Sequence, residues 1–183
     1  MTSIEESEAG LALKVNGTVV AVGRRPDLET WHPALRGVAL SDSPVLVQAP
    51  HHDASYILER LHRLGRRADL PVHHCHDEND SSALLACFDD EETPVADSLG
   101  TWAIFNVHWW SDESQLRLAE LLGRLDEARL HGRLRHDQIP RVIVTMNPDA
   151  PASGLRNALR QRLCYYQLSA VAPKKRESKN ATA

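Results

Sequence analysis

The fold class of this chain follows from one stretch, Ser43-Pro44-Val45-Leu46-Val47-Gln48-Ala49-Pro50-His51-His52-Asp53-Ala54-Ser55-Tyr56. Its apolar run, residues 45–47, lacks the alternation of a half-solvated strand and predicts a short strand buried on both faces. A short loop over residues 49–55 is expected next, and residues 54–67 show helical spacing. That helix has one apolar stripe, and its opposite face carries Arg60, Arg63, Arg66 and Arg67.

Before and after this stretch, segments with the spacing of strands and segments with the spacing of helices follow one another along the chain. Residues 11–22 form two apolar runs split by Asn16-Gly17, which predicts a β-hairpin. Further strands are predicted at residues 71–75, 102–107, 141–146 and 165–171, and further helices at residues 81–88, 113–131 and 152–163. Residues 24–36 contain two prolines and predict a loop or a broken helix. The chain is therefore expected to be an α/β protein with a mainly parallel sheet, flanking helices and a small N-terminal hairpin.

The longest predicted helix, residues 113–131, has clear end signals. Ser111 and Asp112 are favourable N-terminal caps, and Gly132 is a favourable C-terminal stop. Its apolar face is expected to consist of Leu116, Ala119, Leu122 and Leu125.

Composition limits the classes of function. The 183 residues suffice for one domain with a buried core, and the net charge of −4 gives no general attraction to nucleic acid or anionic membranes. No apolar run has the length of a membrane span, and the acidic start is the opposite of a signal peptide. The three cysteines, Cys75, Cys87 and Cys164, cannot all pair, and their apolar neighbourhoods indicate buried, inert thiols. These features predict a reduced cytoplasmic protein.

The stretch from residue 43 to residue 56 has the layout of a phosphate-binding loop without its chemistry. Such a loop needs glycines, whose backbone N–H groups wrap the phosphates, and a lysine followed by Ser or Thr. The segment Ala49-Pro50-His51-His52-Asp53-Ala54-Ser55 contains neither glycine nor lysine. Where a second strand would carry the Mg²⁺-binding carboxylates, this chain has Phe105 and Asn106. The sequence therefore predicts a nucleotide-hydrolase scaffold that lacks catalytic groups.

From about residue 44 to residue 173, the chain resembles the AAA+ ATPase domain (the sigma-54 interaction domain) of bacterial sigma-54-dependent transcriptional activators. Besides the strand at residues 45–47, five ordered stretches carry the resemblance. Four of them are residues 61–67 and 71–75, similar to the family's "IHxLSxR" and "PFxxxNC", and residues 141–147 and 164–168, similar to "RxIAATN" and "LYYRL". Leu99-Gly100-Thr101 is similar to the "GGTL" entry to the second nucleotide motif. The resemblance implies a bacterial origin and places Asn147 at the sensor position.

The departures from the family pattern fall on its functional residues. The lysine of the phosphate loop aligns with Ser55, the loop glycines align with Ala49, His52 and Ala54, and the two carboxylates align with Phe105 and Asn106. The sigma-contacting GAFTGA loop is replaced by a short segment between Cys75 and Leu99. The arginine fingers have no clean counterpart, since Arg156, Arg160 and Arg162 fit only with register shifts. A helical lid would begin near Pro173, and neither it nor the DNA-binding helix-turn-helix is expected.

The loss of these groups leads us to expect neither ATP hydrolysis nor ATP binding, and no catalytic residue, cofactor or metal. Phosphoryl transfer depends on positioning and on charge neutralisation by lysine, Mg²⁺ and arginine. Asn147, with no nucleotide to sense, is expected to be a cap or turn residue. The expected organisation is a disordered leader (1–10), a hairpin and linker (11–43), the degenerate AAA+-like domain (44–173) and a basic flexible tail (174–183).

Three surfaces remain as candidate binding sites. His73, His74, Cys75, His76 and neighbouring acids suit Zn²⁺ or Cu, with His51 and His52 as further ligands. On a strand, however, His73 and Cys75 face one way and His74 and His76 the other, so structural roles are favoured over a metal site. The second surface is His108-Trp109-Trp110, where partner binding competes with core packing. The acidic loop Asp89-Asp90-Glu91-Glu92 is either solvated or a docking site for a basic partner.

These observations predict a non-catalytic cytoplasmic regulatory protein that acts by protein–protein interaction, binding a partner to inhibit or sequester it. His108, Trp109 and Trp110 are the favoured contact residues, followed by residues 89–92. One alternative is a modulator of an intact sigma-54 activator, contacting its subunits through Arg156, Arg160 and Arg162. Another is a His-rich metal-binding protein. Membrane and nucleic-acid partners are not expected.

Overall fold

The computed structural model describes residues 10–24, 33–80, 82, 99–132, 135 and 138–171 of the chain. Within these ranges seven strands form one sheet: β1 (Gly10–Val15), β2 (Thr18–Arg24), β3 (Val45–Gln48), β4 (Val72–Cys75), β5 (Thr101–Ile104), β6 (Arg141–Met146) and β7 (Tyr166–Val171). The α-helices are α1 (Pro33–Leu40), α2 (His51–Leu64), α3 (Asp112–Leu130) and α4 (Asn157–Arg162), with 3₁₀ turns at Val107–Trp109 and Ala152–Gly154.

The sheet has the order β2-β1-β7-β3-β6-β5-β4. The five strands from β7 to β4 run parallel to one another, whereas β1 is antiparallel to both β2 and β7. This confirms the predicted α/β class, the mainly parallel sheet and the N-terminal hairpin. The hairpin extends the common sheet through β7, and its first strand starts at Gly10, which the sequence analysis placed at the end of the leader. The rest of the leader and the tail lie outside the described residues.

Two glycines occupy positions that a side chain would strain. Gly17 follows Asn16 in the β1–β2 turn, and both have positive φ, +79° and +47°, as the tightest hairpin turns require. Gly100 has φ +122° at the entry to β5, and a Cβ added there would lie 2.2 Å from the carbonyl oxygen of Pro71. Thr101 donates its backbone N–H to that same oxygen, so Gly100 lets β5 join β4 in register.

The core has two layers, one on each face of the sheet. On one face, α3 packs Leu118, Leu121 and Leu122 against Trp102 and Val144. The other layer consists of residues from α1, α2, β1 and the central strands, among them Leu13, Leu35, Ile57, Leu61 and Ile143. None of the described helices combines the length and the apolar character that crossing a bilayer requires.

Several predicted details were wrong. Pro33 begins α1 instead of breaking a helix, because proline lacks only an N–H that the first helical turn leaves unpaired. Leu116 is 47% exposed, and α3 turns Gln115 and Leu118 inward instead. The helix expected over residues 152–163 is a 3₁₀ turn followed by the short α4. The helix expected at residues 81–88 lies almost wholly outside the described residues.

Buried charges occupy the amino end of the parallel strands. Arg67, expected on the solvent face, is 5% exposed; it donates to the carbonyl oxygen of Ile139 and pairs with Asp42 at 2.5 Å. Arg141 donates to the carbonyl oxygens of Val38 and Ala39 in the last turn of α1, at 2.7 and 2.5 Å. Burial, followed by the charge of Arg67, lowers the pKa of Arg141 to about 10. The Arg141 guanidinium therefore remains charged at neutral pH and ties β6 to α1.

The cysteine prediction was confirmed at one position and wrong at another. Cys75 is buried, and burial is the main cause that raises the pKa of its thiol to about 12. Cys164 is a free thiol on the surface, because the chain turns there between α4 and β7. Cys87 lies outside the described residues.

Candidate functional site

The candidate site is the carboxyl edge of the parallel strands, where ligands bind in open α/β sheets. The ends of β3, β4, β5 and β6 meet there, together with the first turns of α2 and α3. The predicted phosphate-loop residues, Phe105 and Asn106, and the tryptophans with His108 all lie at this edge, whereas Arg162 lies near Asp126, far from the start of α3. The acidic loop Asp89, Asp90, Glu91 and Glu92 lies outside the described residues.

The predicted phosphate-loop segment is mostly helix. Only Ala49 and Pro50 separate β3 from α2, so His51, His52, Asp53, Ala54 and Ser55 belong to the first turns of α2. Ala54 donates its N–H to the carbonyl oxygen of Pro50 at 2.9 Å, and Ser55 Oγ donates to that of His51 at 2.9 Å. Without glycines, the backbone continues into the helix as soon as Pro50 allows it. Our expectation of a loop to residue 55 was wrong, because α2 starts about one turn earlier.

A cluster of rings, which we call the imidazole cluster, covers the ends of β4 and β5. Phe105 is 2% exposed, and the exposed imidazoles of His51, His74 and His76 surround it, with ring centroids at 5.2, 5.8 and 4.9 Å. Partial burial and then the charges of His76 and His73 lower the pKa of His74. Phe105 thus seals the core at the position that the resemblance gives to a carboxylate.

The backbone conformation of Asn106 ends the strand that was predicted over residues 102–107. This residue has φ +54°, a left-handed conformation that asparagine tolerates better than most residues, and its N–H donates to Thr145 Oγ1 at 3.2 Å. The predicted strand over residues 102–107 therefore stops at Ile104. The 3₁₀ turn Val107–Trp109 then leads into α3.

The two tryptophans have different environments. Trp110 is 6% exposed and packs in the core with Leu118, whereas Trp109 is 72% exposed. His108 is half-buried with its ring centroid 4.9 Å from that of Trp109, and burial lowers its pKa. Core packing, one of the two alternatives for this pair, thus holds for Trp110 and not for Trp109, and partner binding by Trp109 stays a prediction.

Glu78 has a role that sequence reasoning missed. Its carboxylate accepts a hydrogen bond from the backbone N–H of Ser111, the N-cap of α3, and others from Ser111 Oγ at 3.0 Å and Ser114 Oγ at 2.7 Å. These bonds, with that from Ser114 the largest cause, lower the pKa of Glu78. The Ser111-x-x-Ser114 spacing signals a helix start, but no local pattern links it to a carboxylate that lies just beyond the end of β4.

The histidine-rich strand β4 is divided between the two faces, as the alternation predicted. His73 stacks on Trp102 at 4.6 Å, while His74 and His76 lie against Phe105 on the other face. The Glu78 carboxylate is hydrogen-bonded to Ser111 and Ser114 at the start of α3. In the part of the chain that the structure describes, no three His, Cys, Asp or Glu side chains are grouped to hold a metal ion.

The other residues that the sequence singled out, Asn147 and the three arginines, bond to side chains or backbone close to them. Asn147 is exposed, and its Oδ1 accepts the N–H of Asp149 at 3.0 Å, which confirms the turn role. Arg156 pairs with Asp112 at the start of α3. Arg160 donates to Asn157 Oδ1 at 2.8 Å, and Arg162 lies 3.8 Å from a carboxylate oxygen of Asp126.

Comparison with known proteins identifies the fold. No protein-family model and no curated protein matches the chain. Among solved structures, the P-loop NTPase domain of a sigma-54 transport activator from E. coli matches with TM-score 0.52 and 16% identity, over 82% of this chain and 98% of that one. A DNA polymerase III gamma subunit-related protein from Thermotoga maritima matches with TM-score 0.52 and 10% identity, over 81% of this chain and 47% of that one.

NtrX from Brucella abortus, in complex with ATP, matches with TM-score 0.51 and 16% identity, over 81% of this chain and 36% of that one. The chain therefore spans nearly all of the E. coli domain but less than half of the other two proteins. At these identities the likeness concerns the fold alone: this chain has the α/β fold of a P-loop NTPase domain, as in sigma-54 activators.

Proposed function

We propose that this chain is a non-catalytic regulatory protein of the cytoplasm, which binds a protein partner through the carboxyl edge of a P-loop NTPase fold and thereby inhibits or sequesters it. The observation that carries the proposal is the start of α2. With only Ala49 and Pro50 between β3 and the helix, little backbone is left to wrap a phosphate.

The negative charges at this edge also argue against phosphoryl transfer. The positive end of α2, where an anion would bind, already has Asp53 in its first turn. The start of α3 carries Asp112 and Glu113, and its N-cap Ser111 donates to the Glu78 carboxylate. No lysine or glycine lies between residues 44 and 64, and Phe105 stands where Mg²⁺ would need a carboxylate. Carboxylates near a phosphate site repel a nucleotide instead of neutralising it.

The exposed rings support a binding role. Trp109 projects into solvent beside His108, and the imidazoles of the cluster form a further exposed aromatic surface at the same edge. Tryptophan is among the residues most enriched at the energetic centres of protein interfaces. The imidazoles of the cluster pack on the buried ring of Phe105, which supports that part of the surface from the core side.

Nucleotide titration tests the non-catalytic part of the proposal. Calorimetry of the purified chain with Mg²⁺-ATP and with ADP is expected to show no saturable heat, and a coupled phosphate assay no turnover. Saturable binding of either nucleotide, displaced by the other, would overturn this part.

Co-purification from the native cytoplasm tests the binding part. One partner in near-equal amount is expected with the wild-type chain and with Leu130→Ala, a control that truncates another exposed apolar side chain, on α3 (78% exposed). Trp109→Ala is expected to lose that partner while it retains the wild-type unfolding transition. Retention of the partner by Trp109→Ala would remove this residue from the interface.

A second candidate is a modulator of an intact sigma-54 activator. The fold likeness to the E. coli domain favours it, and Arg156 and Arg162 are about half exposed beside α3. Size-exclusion chromatography with an intact activator distinguishes the two candidates. Co-elution that is lost in Arg156→Ala but kept in Trp109→Ala would favour the modulator, and separate elution would exclude it for the activator tested.

A further inference from the structure

The strand β2 forms one end of the sheet. It pairs with β1 on its inner side, and within the described ranges no strand pairs with its outer side. Such an edge presents a row of backbone N–H and C=O groups that can template another strand.

The sequence of β2 lacks most of the features that protect an edge. Residues 15–23 contain no charged residue and no proline, and Val19 and Val20 are 51% and 47% exposed. The opposite edge differs, because β4 has four residues and two of them are histidines. Of the two edges, β2 is the longer and the more apolar.

A bulge, one feature that can protect an edge, interrupts the inner pairing of β2 at one residue. The register between β1 and β2 shifts so that Leu13 is opposite Ala21 while Lys14 is opposite Val19. Val20 is thereby left without a counterpart on β1. Its backbone groups stand outside the β1 ladder, in the middle of the exposed stretch.

We propose that β2 pairs with β2 of a second copy of this chain, antiparallel and around a two-fold axis. The strand is self-complementary in that arrangement. With Ala21 at the axis, residue 20 is opposite residue 22 and Thr18 is opposite Arg24, so that no like charges face each other. The two seven-stranded sheets would then form one continuous sheet.

This dimer is compatible with the proposed function but does not depend on it. β2 lies at one end of the strand order, and β5, which leads to Trp109, lies near the other end. The two Trp109 surfaces remain free in the dimer, so that it can bind two partner molecules or one symmetric partner.

Sedimentation equilibrium of the full chain tests the proposal. The average mass is expected to rise with concentration from 20.4 kDa towards twice that value. Val20→Lys brings two like charges together near the axis and is expected to weaken the dimer about tenfold or more. Leu130→Lys, which adds the same charge at another exposed apolar residue, is expected to leave dimerisation unchanged.

Hydrogen exchange of the wild-type chain provides a test that does not depend on the folding of a variant. Amides of residues 18–24 are expected to exchange more slowly in concentrated than in dilute solution, whereas those of β4 are not. A chain that stays monomeric at all concentrations would overturn the proposal. So would a dimer that protects β4 and not β2, or one that Leu130→Lys disrupts and Val20→Lys does not.

Discussion

The two ends of the parallel strands use polar and aromatic groups in opposite ways. At the amino end, Arg67 and Asp42 are each 5% exposed and pair with each other, and Arg141 bonds to carbonyl oxygens of α1. At the carboxyl end, Trp109 and the imidazoles of the cluster face solvent. The amino end therefore contributes to stability, because its charged groups form hydrogen bonds and an ion pair inside the protein. The carboxyl end has exposed rings that contribute little to folding and are available for binding.

The adjacent tryptophans give the largest expected contrast. Trp110→Ala is expected to lower the free energy of unfolding by about 3–5 kcal/mol, since it leaves a cavity in the core. Trp109→Ala should lower it by no more than about 0.5 kcal/mol, because the side chain is mostly solvated. Urea denaturation of both variants measures the difference. Similar losses from the two variants would show that Trp109 is part of the core and would weaken its assignment to binding.

Arg141→Met tests the amino end. The variant keeps the volume of the stem but removes the guanidinium donor from the carbonyl oxygens of Val38 and Ala39, of which Val38 keeps the N–H of Ser41, so a loss of about 2–4 kcal/mol is expected. Arg63→Met is the matched control, because Arg63 is 65% exposed in a pair with Glu59 and should contribute less than about 1 kcal/mol. An Arg141 variant as stable as the control would contradict a structural role for this end.

The sequence predicted the elements better than the environment of single side chains. The apolar run of β3, the Asn16-Gly17 turn and the Ser111 cap are local signals, and the structure confirms each of them. The stacking of His74 and His76 against Phe105 also follows the predicted alternation along β4.

The environments that the sequence did not predict depend on contacts between distant segments. Arg67 is buried because Ile139 and Asp42, 72 and 25 residues away, meet it. Glu78 reaches Ser111 across 33 residues. The early start of α2 was missed as well, because the sequence shows Pro50 and the absence of glycine but not the residue at which the helix begins. Adjacent tryptophans likewise carry no local signal of which one faces the core.

Ser111→Ala tests how much the carboxyl end contributes to folding. The variant removes the N-cap of α3 and one bond to Glu78, so a loss of about 1 kcal/mol is expected. Ser153→Ala, at an exposed serine of the neighbouring 3₁₀ turn, should change stability less. A loss from Ser111→Ala as large as that from Arg141→Met would contradict the contrast between the two ends.

The pH dependence of stability is expected to differ between variants of His62, at the amino end, and of His74, at the carboxyl end. His62, at the amino end, bonds through Nδ1 to Thr101 Oγ1, and burial followed by the charge of Arg141 lowers its pKa below the ordinary value of a histidine. The unfolded chain therefore binds more protons than the folded one as the pH falls through that value, and stability decreases towards acid.

We expect the urea midpoint to fall between about pH 7 and about pH 5, and His62→Gln to reduce that fall because a neutral amide replaces the buried imidazole. His74→Gln, at the exposed carboxyl end, should reduce it less, since its protonated form can still reach water. Should the His74 variant remove more of the acid sensitivity than the His62 variant, the imidazole cluster would be a stabilising element of the fold. The assignment of the carboxyl end to binding would then rest on Trp109 alone.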